Sequence, residues 1–215
     1  MVNLISSESD DSDDEGNDVD HECCRDGLYV SQSRLYEENG GRANFLGLFT
    51  KNKIKAGSFI GFYAGEWFTE RRYNRLAAKG RALRDKYAIS CSSGLIISPP
   101  IGRDKRPDFR KFPISMANEP SLYGAANAIL REYTFNFDEI EDGIEDERFD
   151  EDFYAVGLVA CRDIGSNREI LWHYGAAYPR PYSVGKKCRV PANEEDPISL
   201  FEHIPLSAVP AHIVS

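Results

Sequence analysis

Residues 160–178 read ACRDIGSNREILWHYGAAY. An apolar run leads in, Gly165 marks a turn, a second apolar run begins at Ile170, and the exit is crowded with rings. Trp172, His173, Tyr174 and Tyr178 fall within seven positions. Short apolar runs joined by a Gly-containing turn are a β signal, since strands need only four to eight residues whereas a stable helix needs more. Two other stretches have the same texture. Residues 47–66, GLFTKNKIKAGSFIGFYAGE, alternate turns and apolar runs, and residues 114–130, ISMANEPSLYGAANAIL, carry Asn118 and Asn127 on either side of a Gly-containing turn.

Outward from these islands the pattern stays short-stranded. Strands are expected at 27–30, 45–49 and 58–63, with a turn at Gly40-Gly41. Thr69 is a helix N-cap candidate, and Tyr73, Leu76, Ala77 and Leu83 then recur at helical spacing, which predicts one helix over 70–84. Residues 87–91 and 95–97 read as a hairpin joined by Ser92-Ser93-Gly94, and the polar, proline-punctuated residues 102–113 as a basic surface loop. Strands resume at 125–137, where Tyr133, Phe135 and Phe137 alternate with Thr134 and Asn136, and at 153–161. No internal repeat is visible. Many short strands with a single helix predict a mostly β domain of several small sheets.

The 215 residues suffice for one sizeable core. The net charge of −9 conceals a division. Residues 1–22 hold nine acids and no Lys or Arg, and residues 138–152 hold ten acids against Arg148 alone. The rest carries 16 acids against 25 Lys and Arg, so the body is basic. Residues 1–25 have the composition of a disordered acidic tail, and 138–152 of a mobile acidic loop. A basic body attracts nucleic acid or acidic protein, while acidic blocks attract Lys/Arg-rich tails. The helix region supplies the densest basic cluster, with Arg71, Arg72, Arg75, Lys79, Arg81, Arg84 and Lys86. It reads either as a solvated face or as a non-specific nucleic-acid contact over 70–86. The opening residues lack the basic start and apolar centre of a secretory signal, and no apolar run approaches a membrane span, so an intracellular protein without membrane contact is expected. Cysteines at 23, 24, 91, 161 and 188 form no C-x-x-C pair, which predicts reduced thiols and no zinc site.

The three islands, in this order, resemble the SET-domain protein-lysine methyltransferases. The matching strings are the strand and turn ending in Tyr63-Ala64-Gly65-Glu66, the Asn118/Asn127 segment, and Glu169-Ile170-Leu171-Trp172-His173-Tyr174-Gly175. The resemblance spans residues 27–178. It implies a SET-domain fold of several small curled sheets, with a C-terminal segment threaded beneath an earlier loop and one short helical insert. It divides the chain into the tail at 1–25, a SET domain at 26–180 with a variable substrate-side insert at 70–112 and the acidic loop at 138–152, and an extension at 181–215. With only Cys188 following the domain, that extension is expected to close the active site without zinc, through Tyr182 or Phe201.

The implied reaction is methyl transfer from S-adenosylmethionine to a protein lysine, with a histone or other Lys-rich tail as substrate class, and a nuclear location if the substrate is a histone. Such a displacement needs a neutral amine, an aimed methyl group and a site that excludes water. A lysine amine ordinarily titrates near ~10.4, so desolvation and a neighbouring positive charge must favour loss of its proton. Tyrosine suits a channel of this kind: its ring faces a cation and its hydroxyl holds an amine without adding charge. By resemblance Tyr174, Tyr63 and Tyr178 line the transfer channel. Trp172 stands where the family carries the Phe or Tyr that sets how many methyl groups fit, so its larger ring implies limited product methylation. The cofactor side is implied to comprise Leu46, Gly47, Tyr87, Asn118, Glu119 and Asn127. Two positions depart from the family pattern: Phe45 replaces the first glycine of a G-x-G turn, and Glu119 replaces a histidine. Glu66 and Glu169 are expected to be structural, and His173, where Asp is common, to be an outward-facing strand residue rather than a base. A monomer is expected. Two other readings stand beside this one, a catalytically weak or inactive SET-like module that binds a basic partner or chromatin, and a basic nucleic-acid-binding domain.

Overall fold

The structure, a computed structural model, describes residues 27–33, 35, 46–135, 153–175, 178, 183–189, 209 and 210. The expectations for 1–25, Gly40-Gly41, Phe45, the acidic loop 138–152, Tyr182 and Phe201 lie outside the described residues.

Three small antiparallel sheets make up the body. The first orders β1 (Leu28–Gln32), β2 (Leu46–Thr50) and β9 (Arg168–Glu169). In the second, β8 (Phe153–Ala160) pairs with β3 (Phe59–Phe62), β7 (Ala128–Phe135) and β10 (Val209–Pro210). The third orders β4 (Glu66–Thr69), β6 (Leu95–Ser98) and β5 (Ile89–Ser90). The mostly β class read from the sequence holds. The β5–β6 hairpin also forms as expected, turning at Gly94, whose φ of +81° is one that glycine adopts without strain.

The helical region differs from its prediction. Two short helices, α1 (Glu70–Asn74) and α2 (Ala78–Arg84), replace the single helix over 70–84. Thr69 caps α1 as read, its hydroxyl accepting the Arg72 N–H. The break at residues 75–77 has two causes. Neither Leu76 nor Ala77 is buried, so the apolar spacing has no core to face, and such short helices depend on packing for their stability. The Tyr73 hydroxyl also donates to Asp85, 2.9 Å away. In a straight helix those two residues would stand about 18 Å apart along the axis, beyond the reach of a phenol.

One apolar core joins the sheets, with Leu48, Ile60, Ile97, Ile114, Leu158 and Ile170 almost fully buried. A second, smaller cluster of Phe59, Phe62, Ala155 and Val159 lies on the β3–β8 pair. Cysteine chemistry departs from expectation: Cys161 and Cys188 form a disulfide with Cα atoms 6.1 Å apart, well within the usual range for such a bridge. The spacing of 27 residues has no short motif to announce it. Cys91 is a free, buried thiol whose pKa burial pushes up to about 12. Among the described residues no helix is long and apolar enough to cross a membrane, and no cluster of three His, Cys, Asp or Glu side chains is placed to hold a metal.

Candidate functional site

The site forms where three distant stretches of chain meet. Residues 169–172 run between residue 118 on one side and residues 127–128 on the other. Asn118 bridges Leu171 and Ala128 bridges Trp172, both in parallel. The Asn127 and Ala128 N–H groups both donate to the Leu171 carbonyl, at 2.8 and 3.0 Å, and the Trp172 N–H donates to the Asn118 carbonyl at 2.9 Å. Residues 184–186 cross the same loop through bridges from Ser121 to Val184 and from Ala125 to Lys186. The C-terminal pass is therefore threaded through the 118–128 loop and strapped there by the next segment, which the Cys161–Cys188 bond ties down.

Side chains fix this crossing. Asn127 donates from Nδ2 to the Glu169 carbonyl and accepts the Leu171 N–H at Oδ1, both at 2.8 Å, so one amide spans two backbone groups of the threaded pass. Asn118 Nδ2 donates to the Leu46 carbonyl and to Glu169 Oε1, both at 2.9 Å. Glu169 is only 5% exposed, and it also accepts the Ser33 hydroxyl at 2.6 Å. A buried carboxylate is tolerable only when its oxygens are satisfied in this way. The carboxylate also accounts for Gly47, because any Cβ there would collide with Glu169 Oε1. The signal for a glycine at 47 thus comes from a residue far along the chain, which no local reading could supply.

The aromatic residues gather on the other side of the pass. The Tyr174 ring lies 4.9 Å, centroid to centroid, from both Trp172 and Tyr178. The Tyr174 hydroxyl donates to the Ala117 carbonyl at 2.9 Å, and the Trp172 indole N–H donates to the same oxygen at 3.2 Å. Tyr63 is buried and its hydroxyl donates to the Tyr87 carbonyl. Burial pushes the Tyr63 phenol well above its ordinary pKa, and Tyr87, Tyr178 and Tyr73 add to the shift, so Tyr63 stays neutral at physiological pH. Tyr87 is raised too, by burial first. The four channel residues expected from the sequence therefore lie about one locus. Tyr87, expected on the cofactor side, stands with the tyrosines, whereas Leu46, Gly47, Asn118 and Asn127 meet around Glu169.

One residue behaves unlike its sequence reading. His173 does not face out. Its side chain is largely covered, and Nδ1 accepts the Gly175 N–H at 3.0 Å. Nδ1 also lies 3.9 Å from Glu119 Oε1, a separation that would count as an ion pair only with a protonated ring. The shorter contact uses Nδ1 as an acceptor. Glu119 is 4% exposed and accepts the Tyr174 N–H at 2.7 Å. Its carboxylate serves the aromatic side of the crossing.

The basic cluster on 70–86 is partly spent on the fold. Arg72 and Arg84 both place their guanidinium groups 5.2 Å from the centre of the buried Phe68 ring, and Arg84 pairs with Glu66 at 2.8 Å. Arg71, Arg75, Lys79 and Lys86 are exposed.

No family model matches the sequence, and neither does any curated protein. Among solved structures, 180 chains match. One is an apo form of ctPRC2 carrying two mutations in Ezh2, at 18% sequence identity and a TM-score of 0.47. The match covers 71% of this chain, which spans only 15% of that one. Likeness of that degree lends weight to no particular activity.

Proposed function

We propose that this chain is an S-adenosylmethionine-dependent protein-lysine N-methyltransferase of SET type, acting on a histone or other Lys-rich tail. The observation that carries the reading is the convergence of Tyr63, Trp172, Tyr174 and Tyr178, contributed by stretches more than 100 residues apart, at the point where the chain threads through its own loop.

The residues fit the cofactor. Asn118 spends its amide nitrogen on Leu46 and Glu169, which leaves Oδ1 as an acceptor for an ammonium group, and the half-buried Leu46 offers apolar surface beside it. S-adenosylmethionine supplies a methyl group made electrophilic by its sulfonium. The chain supplies the surroundings. Neutral tyrosine rings face a cationic centre without binding it as a counter-charge would, and burial at this locus favours the uncharged form of an entering lysine. The hydroxyl of Tyr174 donates to the Ala117 carbonyl, and a phenol oxygen accepts as well as donates, which suits it to the N–H of an entering amine. The Ala117 carbonyl, accepting from two rings, holds Trp172 and Tyr174 at a set separation. The indole of Trp172 fills volume that a smaller ring would leave to added methyl groups, so mono- and dimethyl-lysine are the expected products, and a predominantly trimethylated product spectrum by mass spectrometry would refute that part.

The basic exposed residues of 70–86 suit non-specific phosphate contact, and the acidic residues 138–152 suit attraction of a basic tail. Location in the nucleus follows if the substrate is a histone. Labelled methyl transfer to histones decides the main reading: the wild type transfers label, and Tyr174→Phe lowers the rate at least about 100-fold. Equal rates in the two proteins would remove Tyr174 from the chemistry, and binding of a basic tail without any transfer would favour the inactive-module reading.

A further inference from the structure

Glu119 is a buried carboxylate on the aromatic side of the crossing, where desolvation makes a charge costly. Its setting gives a reason for it. Residues 117, 118 and 119 grip residues 172 and 174 at several points. The Ala117 carbonyl accepts the Trp172 indole N–H and the Tyr174 hydroxyl, the Asn118 carbonyl accepts the Trp172 N–H, and the Glu119 carboxylate accepts the Tyr174 N–H. Tyr174 is thus held at both ends, its amide by Glu119 and its hydroxyl by Ala117, with only two side-chain torsions between them. The next peptide is held as well, because His173 Nδ1 accepts the Gly175 N–H where the chain turns at a φ of +95°. Two consecutive amides are therefore fixed by two side chains. A carboxylate makes the stronger of those bonds, since a charged acceptor binds an N–H about twice as tightly as a neutral one.

We infer that Glu119 is a positioning residue that sets the backbone of Tyr174, and through it the reach of the Tyr174 hydroxyl, rather than a contact to the cofactor. The inference rests on the methyltransferase reading for its catalytic consequence. The hydrogen-bonded clamp itself does not.

The test uses the full chain as wild type, Glu119→Ala and Glu119→Gln, with three measurements: steady-state methyl transfer to a histone peptide, calorimetric binding of S-adenosylmethionine, and hydrogen exchange at the Tyr174 amide by NMR. Glu119→Ala is expected to lower kcat about tenfold, with peptide KM and cofactor Kd within about twofold of wild type. Tyr174 amide exchange is expected to rise about tenfold or more, while the Leu130 amide in β7 is unchanged. Glu119→Gln keeps an acceptor at the same place and is expected to recover most of both losses. If Glu119→Ala does not fold, Glu119→Asp, which retains the charge but withdraws it by about one carbon–carbon bond, must show the same split. A raised cofactor Kd with kcat intact overturns the assignment in favour of a cofactor contact, and Tyr174 exchange no faster than wild type overturns the clamp. If the wild type transfers no methyl group, the proposed function fails, and the exchange measurement alone decides the clamp.

Discussion

The crossing at residues 117–128 and 169–175 and the stretch from 66 to 98 spend polar groups in opposite ways. At the crossing, Asn118, Glu119, Asn127 and Glu169 are half-buried or buried, and each binds backbone or side chains more than 40 residues away. Between residues 66 and 98, Arg84 and Glu66 make an ion pair near the surface, and Tyr73 reaches Asp85 within the same local turn of chain. Buried hydrogen bonds specify one geometry because breaking any of them strands a partner away from water, whereas surface charges can regain solvent at little cost. Misplacement is expensive at the crossing and cheap among the surface charges.

Removing Asn127 tests that contrast most severely. Asn127→Ala leaves the Leu171 N–H and the Glu169 carbonyl without their partner, and is expected to cost about 3 kcal/mol, seen as a melting temperature lower by about 10 °C. A loss below about 1 kcal/mol would mean that the crossing is held by apolar packing instead.

Alkaline titration sharpens the same comparison through the two tyrosines. Tyr63 has its phenol pKa raised chiefly by burial, and Tyr73 by burial and then by its bond to Asp85. A raised folded pKa favours the neutral form, so this contribution to stability is fully present below pH 10, the ordinary tyrosine value, and is lost as pH rises above it. Tyr63→Phe is expected to flatten the fall of stability with pH above 10 by up to about 1.4 kcal/mol per pH unit, measured by urea unfolding. Tyr73→Phe should flatten it over a narrower span of pH, because burial raises its phenol less far than that of Tyr63. The smallest effect belongs to the surface pair, where Glu66→Gln should change stability by less than about 0.5 kcal/mol. A larger change would show that Arg84 needs its carboxylate in order to stay over Phe68.

Features carried by neighbouring residues were legible in the sequence. The Thr69 cap, the Ser92-Ser93-Gly94 hairpin and the alternation at Tyr133 and Thr134 each rest on contacts or spacings within a few positions. Glu169 was also rightly read as structural, since its carboxylate binds Ser33 and Asn118 inside the protein. What escaped depends on partners distant in sequence. The break between α1 and α2 follows from the absence of a core beneath Leu76 and Ala77, which spacing alone cannot reveal. The inward turn of His173 depends on Gly175 and Glu119, the glycine at 47 on Glu169, and the Cys161–Cys188 bond on the path of a strap with no periodicity of its own. Strand β4 was missed because Glu66–Thr69 alternates over only four residues between a turn and a helix cap.

The Cys161–Cys188 bond also makes a closed covalent ring of residues 161–188, and Trp172, Tyr174 and Tyr178 all lie inside it. A mechanical load applied to the chain on either side of that ring passes from one sulfur to the other and never along the backbone between them. The three rings thus occupy a stretch of chain that tension cannot straighten while the bond is intact.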